Sequence, residues 1–137
     1  MTWDPKRIWS LREDTHCVEI SCHEVDADRD LGPYRWAMYC YIYPHHPLFP
    51  RVCTIQDPWY TDDVLRAVLC TIPGHSYCSF YEACQRSGRT TSIKIGWDFN
   101  HLHEDYNTRC TEPTNFLSLG SVLNTFLKDY HAPLQNQ

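Results

Sequence analysis

Long apolar runs are missing from this chain. No stretch of about 18 apolar residues occurs, so no segment reads as a membrane-spanning helix. The opening residues, Met1-Thr2-Trp3-Asp4-Pro5-Lys6-Arg7, lack the apolar core of an export signal, so a cytoplasmic location is expected. A basic excess is missing too: Lys plus Arg number 12 against 17 Asp plus Glu, a net charge of −5. Phosphate-backbone affinity rests on clustered Lys and Arg, so nucleic acid is not the expected partner. The acids fall in short groups, Glu13-Asp14, Asp62-Asp63 and Glu104-Asp105 among them. That pattern reads as solvated acidic patches and is too scattered for a nucleic-acid mimic.

Several chemical signatures are absent as well. The chain has no Walker loop, no GxGxxG, no nucleophile elbow and no His-x-Glu with Cys-x-x-Cys. No cofactor is therefore expected. Cys-x-x-Cys pairs, the strong zinc signature, do not occur. The nearest approaches are Cys17 with Cys22-His23, and His101 with His103 near Cys110, and no metal site is expected from them. The eight cysteines are even in number, as a disulfide framework would be. Without an export signal, however, the cytosol keeps thiols reduced. Cys40 and Cys70 sit inside apolar runs, where a free Cys acts as a small hydrophobe. Most of the eight are expected to be reduced core residues.

What the chain does have is rings. Aromatics reach 14%, with five Trp and nine Tyr among 137 residues. That length suits one domain, burying about two-thirds of its extended surface. Such a number of rings exceeds what a small core needs, so some are expected at a recess or an interface.

Residues 1–15 read as an N-terminal arm or a short amphipathic turn. Residues 16–24 alternate, with Val18, Ile20 and Cys22 on one face, and predict a strand. Residues 34–43 give the strongest strand signal and pair with 16–24 as a hairpin. Residues 61–70 fit a short helix or a strand equally. A strand is expected over 75–81, a turn at Ser87-Gly88-Arg89-Thr90, and a strand over 91–99. A polar loop follows over 100–113. Phe116, Leu119, Leu123, Phe126, Leu127 and Tyr130 recur at helical spacing and predict a helix over 114–131, capped by Thr114. Gly120 costs this helix about 1 kcal/mol relative to Ala, so packing on the sheet must hold it. The expected fold is α+β: a mostly antiparallel sheet over 16–99, with the C-terminal helix packed on it, in one domain.

Candidate chemistry gathers at element ends. Ile93-Lys94-Ile95 starts as a strand, and Gly96-Trp97-Asp98-Phe99-Asn100-His101 then sets an indole, a carboxylate and an imidazole at its end. Pro44-His45-His46-Pro47-Leu48-Phe49-Pro50 holds two imidazoles on a stiff loop with three prolines. His75 and Ser76 follow a Pro73-Gly74 turn. Rings beside imidazoles and hydroxyls suit a base-and-sugar ligand, and Arg35, Arg89 and Arg109 are candidate phosphate contacts. The expected ligand-binding set is His45, His46, His75, Ser76, Trp97, Asp98 and His101. An Asp–His pair can also activate water, so a small hydrolase using Asp98 with His101 or His75 is the alternative.

Three islands resemble a known group. Pro44-His45-His46-Pro47-Leu48-Phe49 is similar to a GHPLF loop, with His45 in place of the glycine. His75-Ser76-Tyr77-Cys78-Ser79-Phe80 resembles HGGLTF without its glycines, and Gly96-Trp97-Asp98-Phe99-Asn100-His101 resembles GFDCAH. In this order, before a C-terminal helix, they resemble a group of small proteins frequent in bacteriophages and mobile elements. The resemblance implies an accessory protein in the host cytosol that counters host defence. The expected role is to sequester a small nucleotide-like ligand. An inhibitor that binds a host defence protein through an acidic, aromatic surface is a further alternative, and a homo-oligomer is compatible with either.

Overall fold

The computed structural model describes residues 6–25, 32–55, 63, 68, 80–99 and 109–131. Five strands form one antiparallel sheet: β1 (Lys6–Arg12), β2 (His16–Glu24), β3 (Tyr34–Ile42), β4 (Phe80–Arg86) and β5 (Arg89–Asp98). Their order across the sheet is β1-β2-β3-β5-β4. A one-turn helix α1 (Phe49–Val52) follows β3, and α2 (Thr114–Asp129) closes the described chain. The α+β architecture expected from the sequence is the one observed.

Period-2 alternation divides every strand between two faces. On β3, Trp36, Met38, Cys40 and Ile42 are buried, while Arg35, Ala37, Tyr39 and Tyr41 are half-buried. Register carries that division across the sheet. Val18 faces Cys40, Ile20 faces Met38, and Met38 faces Trp97, so these side chains share the inner face. Both α1 and α2 lie on this side. Gly120 sets α2 flush on β2, because a Cβ there would stand 3.3 Å from Ile20 Cδ1 and 3.5 Å from Val18 Cγ1. A four-ring stack ties the far end of the helix down. Trp9 lies over Trp36 at 5.6 Å, Trp36 over Phe116 at 4.3 Å, and Phe99 meets Phe116 at 5.3 Å. The Trp36 indole N–H donates to the Cys110 carbonyl at 2.9 Å, so its polar edge is satisfied in the core.

Three boundaries differ from the sequence reading. The N-terminal arm is a paired edge strand: Arg7, Trp9 and Leu11 lie opposite Cys22, Ile20 and Val18. Its alternation was masked by charged residues on both faces, with only Trp9 and Leu11 apolar on the inner one. β4 runs to Arg86, beyond the expected 75–81, because an edge strand tolerates Glu82, Gln85 and Arg86. The α2 N-cap is Pro113, with no side-chain capping bond, and not Thr114. Of segment 61–70 only Asp63 and Val68 are described; both are helical, and Val68 is fully buried in the core. Residues 75–79 and 100–108 lie outside the described residues. All six cysteines among the described residues are free: Cys17, Cys22, Cys40, Cys53, Cys84 and Cys110. No described helix is long and apolar enough to cross a membrane.

Candidate functional site

The proline-rich loop after β3 sends its two imidazoles to different places. His46 is buried. Its Nδ1 accepts the Leu48 amide N–H at 2.9 Å, and its Nε2 pairs with the Leu127 carbonyl at 2.8 Å. A carbonyl only accepts, so Nε2 carries the proton and the ring is neutral. His16, at the start of β2, stands edge-on to His46 with centroids 5.4 Å apart. Its Nε2 pairs with Asn124 Oδ1 at 2.9 Å and its Nδ1 with Thr15 Oγ1 at 3.0 Å. Asn124 in turn donates to Glu13 at 3.2 Å, and Lys128 lies 3.9 Å from the same carboxylate. Burial lowers both imidazole pKa values below the ordinary histidine value; hydrogen bonds to Asn124 and Leu127 only partly offset it. His46 therefore locks the loop to α2, and His16 locks β2 to the same helix.

His45 is exposed, with Nε2 2.7 Å from the Asp14 carbonyl and its ring stacked on Tyr43 at 6.4 Å. Trp97 is buried in the core opposite Met38, and its indole N–H has no partner among the described residues. Asp98 ends β5 with its backbone opposite Ala37. His75, Ser76 and His101 lie outside the described residues. Of the expected set, then, His45 faces solvent while His46 and Trp97 are core residues on the helix side, so these three do not share one hollow.

The outer sheet face carries rings that sequence reasoning did not single out. Tyr39 and Tyr41 occupy it on β3, and Tyr43 continues the line as its amide donates to the Thr15 carbonyl at 3.1 Å. His45 on Tyr43 extends the row. Lys94 stands across from Tyr41, its ammonium 4.4 Å from the Tyr39 ring centroid and 5.3 Å from that of Tyr41. Such cation–π contacts are worth about 0.5–1 kcal/mol at exposed sites. Burial pulls the Lys94 pKa down, but hydrogen bonding to Tyr41 and the fields of Tyr41, Tyr39 and Glu19 outweigh it, so the net shift is upward. Burial raises the Tyr41 and Tyr43 phenols, so the row is neutral phenol beside a fixed ammonium at neutral pH. The signal was present in Tyr39-Cys40-Tyr41-Ile42-Tyr43, whose alternation puts every tyrosine on one face.

Two recesses lie at opposite ends of the sheet. One, of about 380 Å³, is lined by Pro44, Arg86, Ser87, Arg89, Thr90 and Thr91. The other, of about 200 Å³, is lined by Arg7, Cys22, His23, Glu24, Tyr34 and Thr111. In the second, Arg7 already donates to Cys22 Sγ at 3.6 Å and lies over Trp9 at 5.5 Å. Burial raises the Cys22 thiol pKa more than Arg7 lowers it, so this sulfur is a poor nucleophile. Of the three arginines expected to meet phosphate, Arg35 is committed to the Gly32 and Tyr34 carbonyls and Arg109 is also engaged, which leaves Arg89 at the first recess. No group of three or more His, Cys, Asp or Glu among the described residues has metal-binding geometry. The chain matches no protein-family model, no curated protein and no solved structure.

Proposed function

We propose that this chain is a binding protein for a small nucleotide-like ligand, which it holds without altering. The observation that carries this reading is the continuous row Tyr39, Tyr41, Tyr43 and His45 on the outer face, with Lys94 against two of its rings. Aromatic faces stack bases at about 1–3 kcal/mol per base, and every base offers a π-face. The sites of stacking move from the core indole Trp97 to these surface rings, while His45 stays in the expected site. The hydrolase alternative needs an imidazole free to take a proton. His16 and His46 have both ring nitrogens engaged and cannot serve, while His75 and His101, which the hydrolase reading uses with Asp98, lie outside the described residues. The resemblance to phage and mobile-element proteins supplies the setting: a cytoplasmic accessory protein that sequesters a host immune signal.

The test is mass spectrometry of small molecules carried through purification and released by heat. An intact nucleotide-class compound, lost from a Tyr41→Ala/Tyr43→Ala variant that unfolds at the wild-type midpoint, supports the reading. Release of a cleaved product selects the hydrolase. A protein partner captured in place of any small molecule selects the inhibitor.

A further inference from the structure

The recess at the β4–β5 turn carries a charge pattern that the hairpin itself does not need. Arg86 and Arg89 stand directly opposite each other across the strand pair. Like charges in that position repel and weaken a hairpin. Among the described residues, neither guanidinium has a hydrogen bond or ion pair and no acidic side chain lines the recess. This occurs in a chain of net charge −5, so the local sign is opposite to the global one. The turn between them is fixed. Ser87 and Gly88 both have positive φ, 54° and 78°, the two-residue geometry that suits the twist of a hairpin. A register shift beside Cys84 and Gln85 adds a local kink. Two cations are therefore displayed on a rigid tip, beside three hydroxyl-bearing residues and the wall formed by Pro44.

We infer that this recess is a phosphate site, taking the terminal phosphate or diphosphate of a small ligand between Arg86 and Arg89. Guanidinium forks match phosphate oxygens two at a time, and Ser87 and Thr90 supply neutral donors for the remaining oxygens, the Thr91 hydroxyl being committed to the Cys84 carbonyl at 3.2 Å. The volume of about 380 Å³ exceeds one phosphate group and leaves space for the adjoining part of the molecule. Pro44 lies between Tyr43 and His45 in the chain, so the wall of this recess is continuous in sequence with the aromatic row. The inference deepens the ligand reading above, and it rests on that reading only for the nucleoside part.

Calorimetric titrations with inorganic pyrophosphate, AMP, adenosine and malonate separate the two claims. Pyrophosphate and AMP should bind wild type and weaken by about tenfold or more in Arg86→Ala/Arg89→Ala, more at low salt than at high salt. Adenosine should bind both proteins alike. The double variant should melt no lower than wild type, since a repulsive pair is removed. If it fails to fold, Arg89→Gln, which keeps one guanidinium, should still weaken pyrophosphate. Pyrophosphate that does not bind, that binds wild type and variants equally, or that binds no better than malonate overturns the phosphate site. Pyrophosphate held by the arginines with no gain from the nucleoside of AMP leaves the phosphate site standing and removes the nucleotide reading. Adenosine bound with no gain from phosphate does the reverse.

Discussion

The two faces of this sheet are built from the same strands and do different things. The inner face is apolar, covered by α2, and closed by the ring stack from Trp9 to Phe99. Three of its polar groups, His16, His46 and the Trp36 N–H, are pinned by specific partners, while the Trp97 N–H has none among the described residues. The outer face holds tyrosines, Lys94 and Glu19, half-buried and arranged in rows. Neighbours in sequence fall to opposite fates: His46 is a structural fastener and His45 is a solvent-facing ring. A ring's chemistry therefore does not decide its role here; the parity of its position does.

If that division holds, the largest stability losses come from the inner face. Trp36→Ala removes the middle of the ring stack and orphans the Cys110 carbonyl. It should lower the urea-unfolding free energy by about 3–5 kcal/mol. A loss under about 1 kcal/mol would mean that the stack does not hold α2 to the sheet.

Acid should come next. His16 and His46 have folded pKa values below the ordinary histidine value of about 6.5, so the unfolded chain binds more protons as pH falls. Stability is then full above about pH 6.5 and declines as pH drops toward the folded values, by no more than about 1.4 kcal/mol per pH unit for each ring. Glu13 pulls the His16 proton on, while Lys128 opposes it; His45 and His16 oppose protonation of His46. Unfolding midpoints measured across this range should show the decline in wild type and a shallower one in His46→Gln. An unchanged slope in that variant would remove His46 from the account.

Much of this arrangement was readable in the chain. The hairpin of β2 and β3 follows from alternation over 16–24 and 34–43, and α2 from the spacing of Phe116, Leu123 and Leu127. β1 was not readable, because an edge strand pairs on one side only and keeps charges at Arg7 and Arg12. The site was harder. Residue type drew attention to Trp97 and His46 as candidates, yet a large ring or a neutral imidazole also completes a core when its partners are backbone groups. What fixed the fate of His46 was Leu127, 81 positions away, and no local pattern reports such a contact. Arg89 was noticed, but its pairing with Arg86 depends on a turn whose register only the fold supplies.

The outer face should respond in the opposite sense to the core. Tyr43→Ala should leave the unfolding free energy within about 0.5 kcal/mol of wild type. It should weaken adenosine in titration by about 1–3 kcal/mol, the value of one stacked base. Core-like destabilisation at Tyr43 would erase the distinction between the faces.

The smallest effect is expected where the helix meets the sheet. Gly120→Ala gains about 1 kcal/mol of helix propensity. It also places a methyl 3.3 Å from Ile20 Cδ1, a contact that needs a shift of a few tenths of an ångström. The atom that must move is the far end of an isoleucine, not backbone, so the two effects should nearly cancel and the midpoint should stay close to wild type. Gly120→Leu has no such escape, because its branch would run into Val18 and Ile20 together, and overpacking of this kind costs about 1–3 kcal/mol or more. A Leu variant as stable as wild type would show that α2 can lift off the inner face without penalty, and the contrast between a helix-covered face and a half-buried one would lose its physical basis.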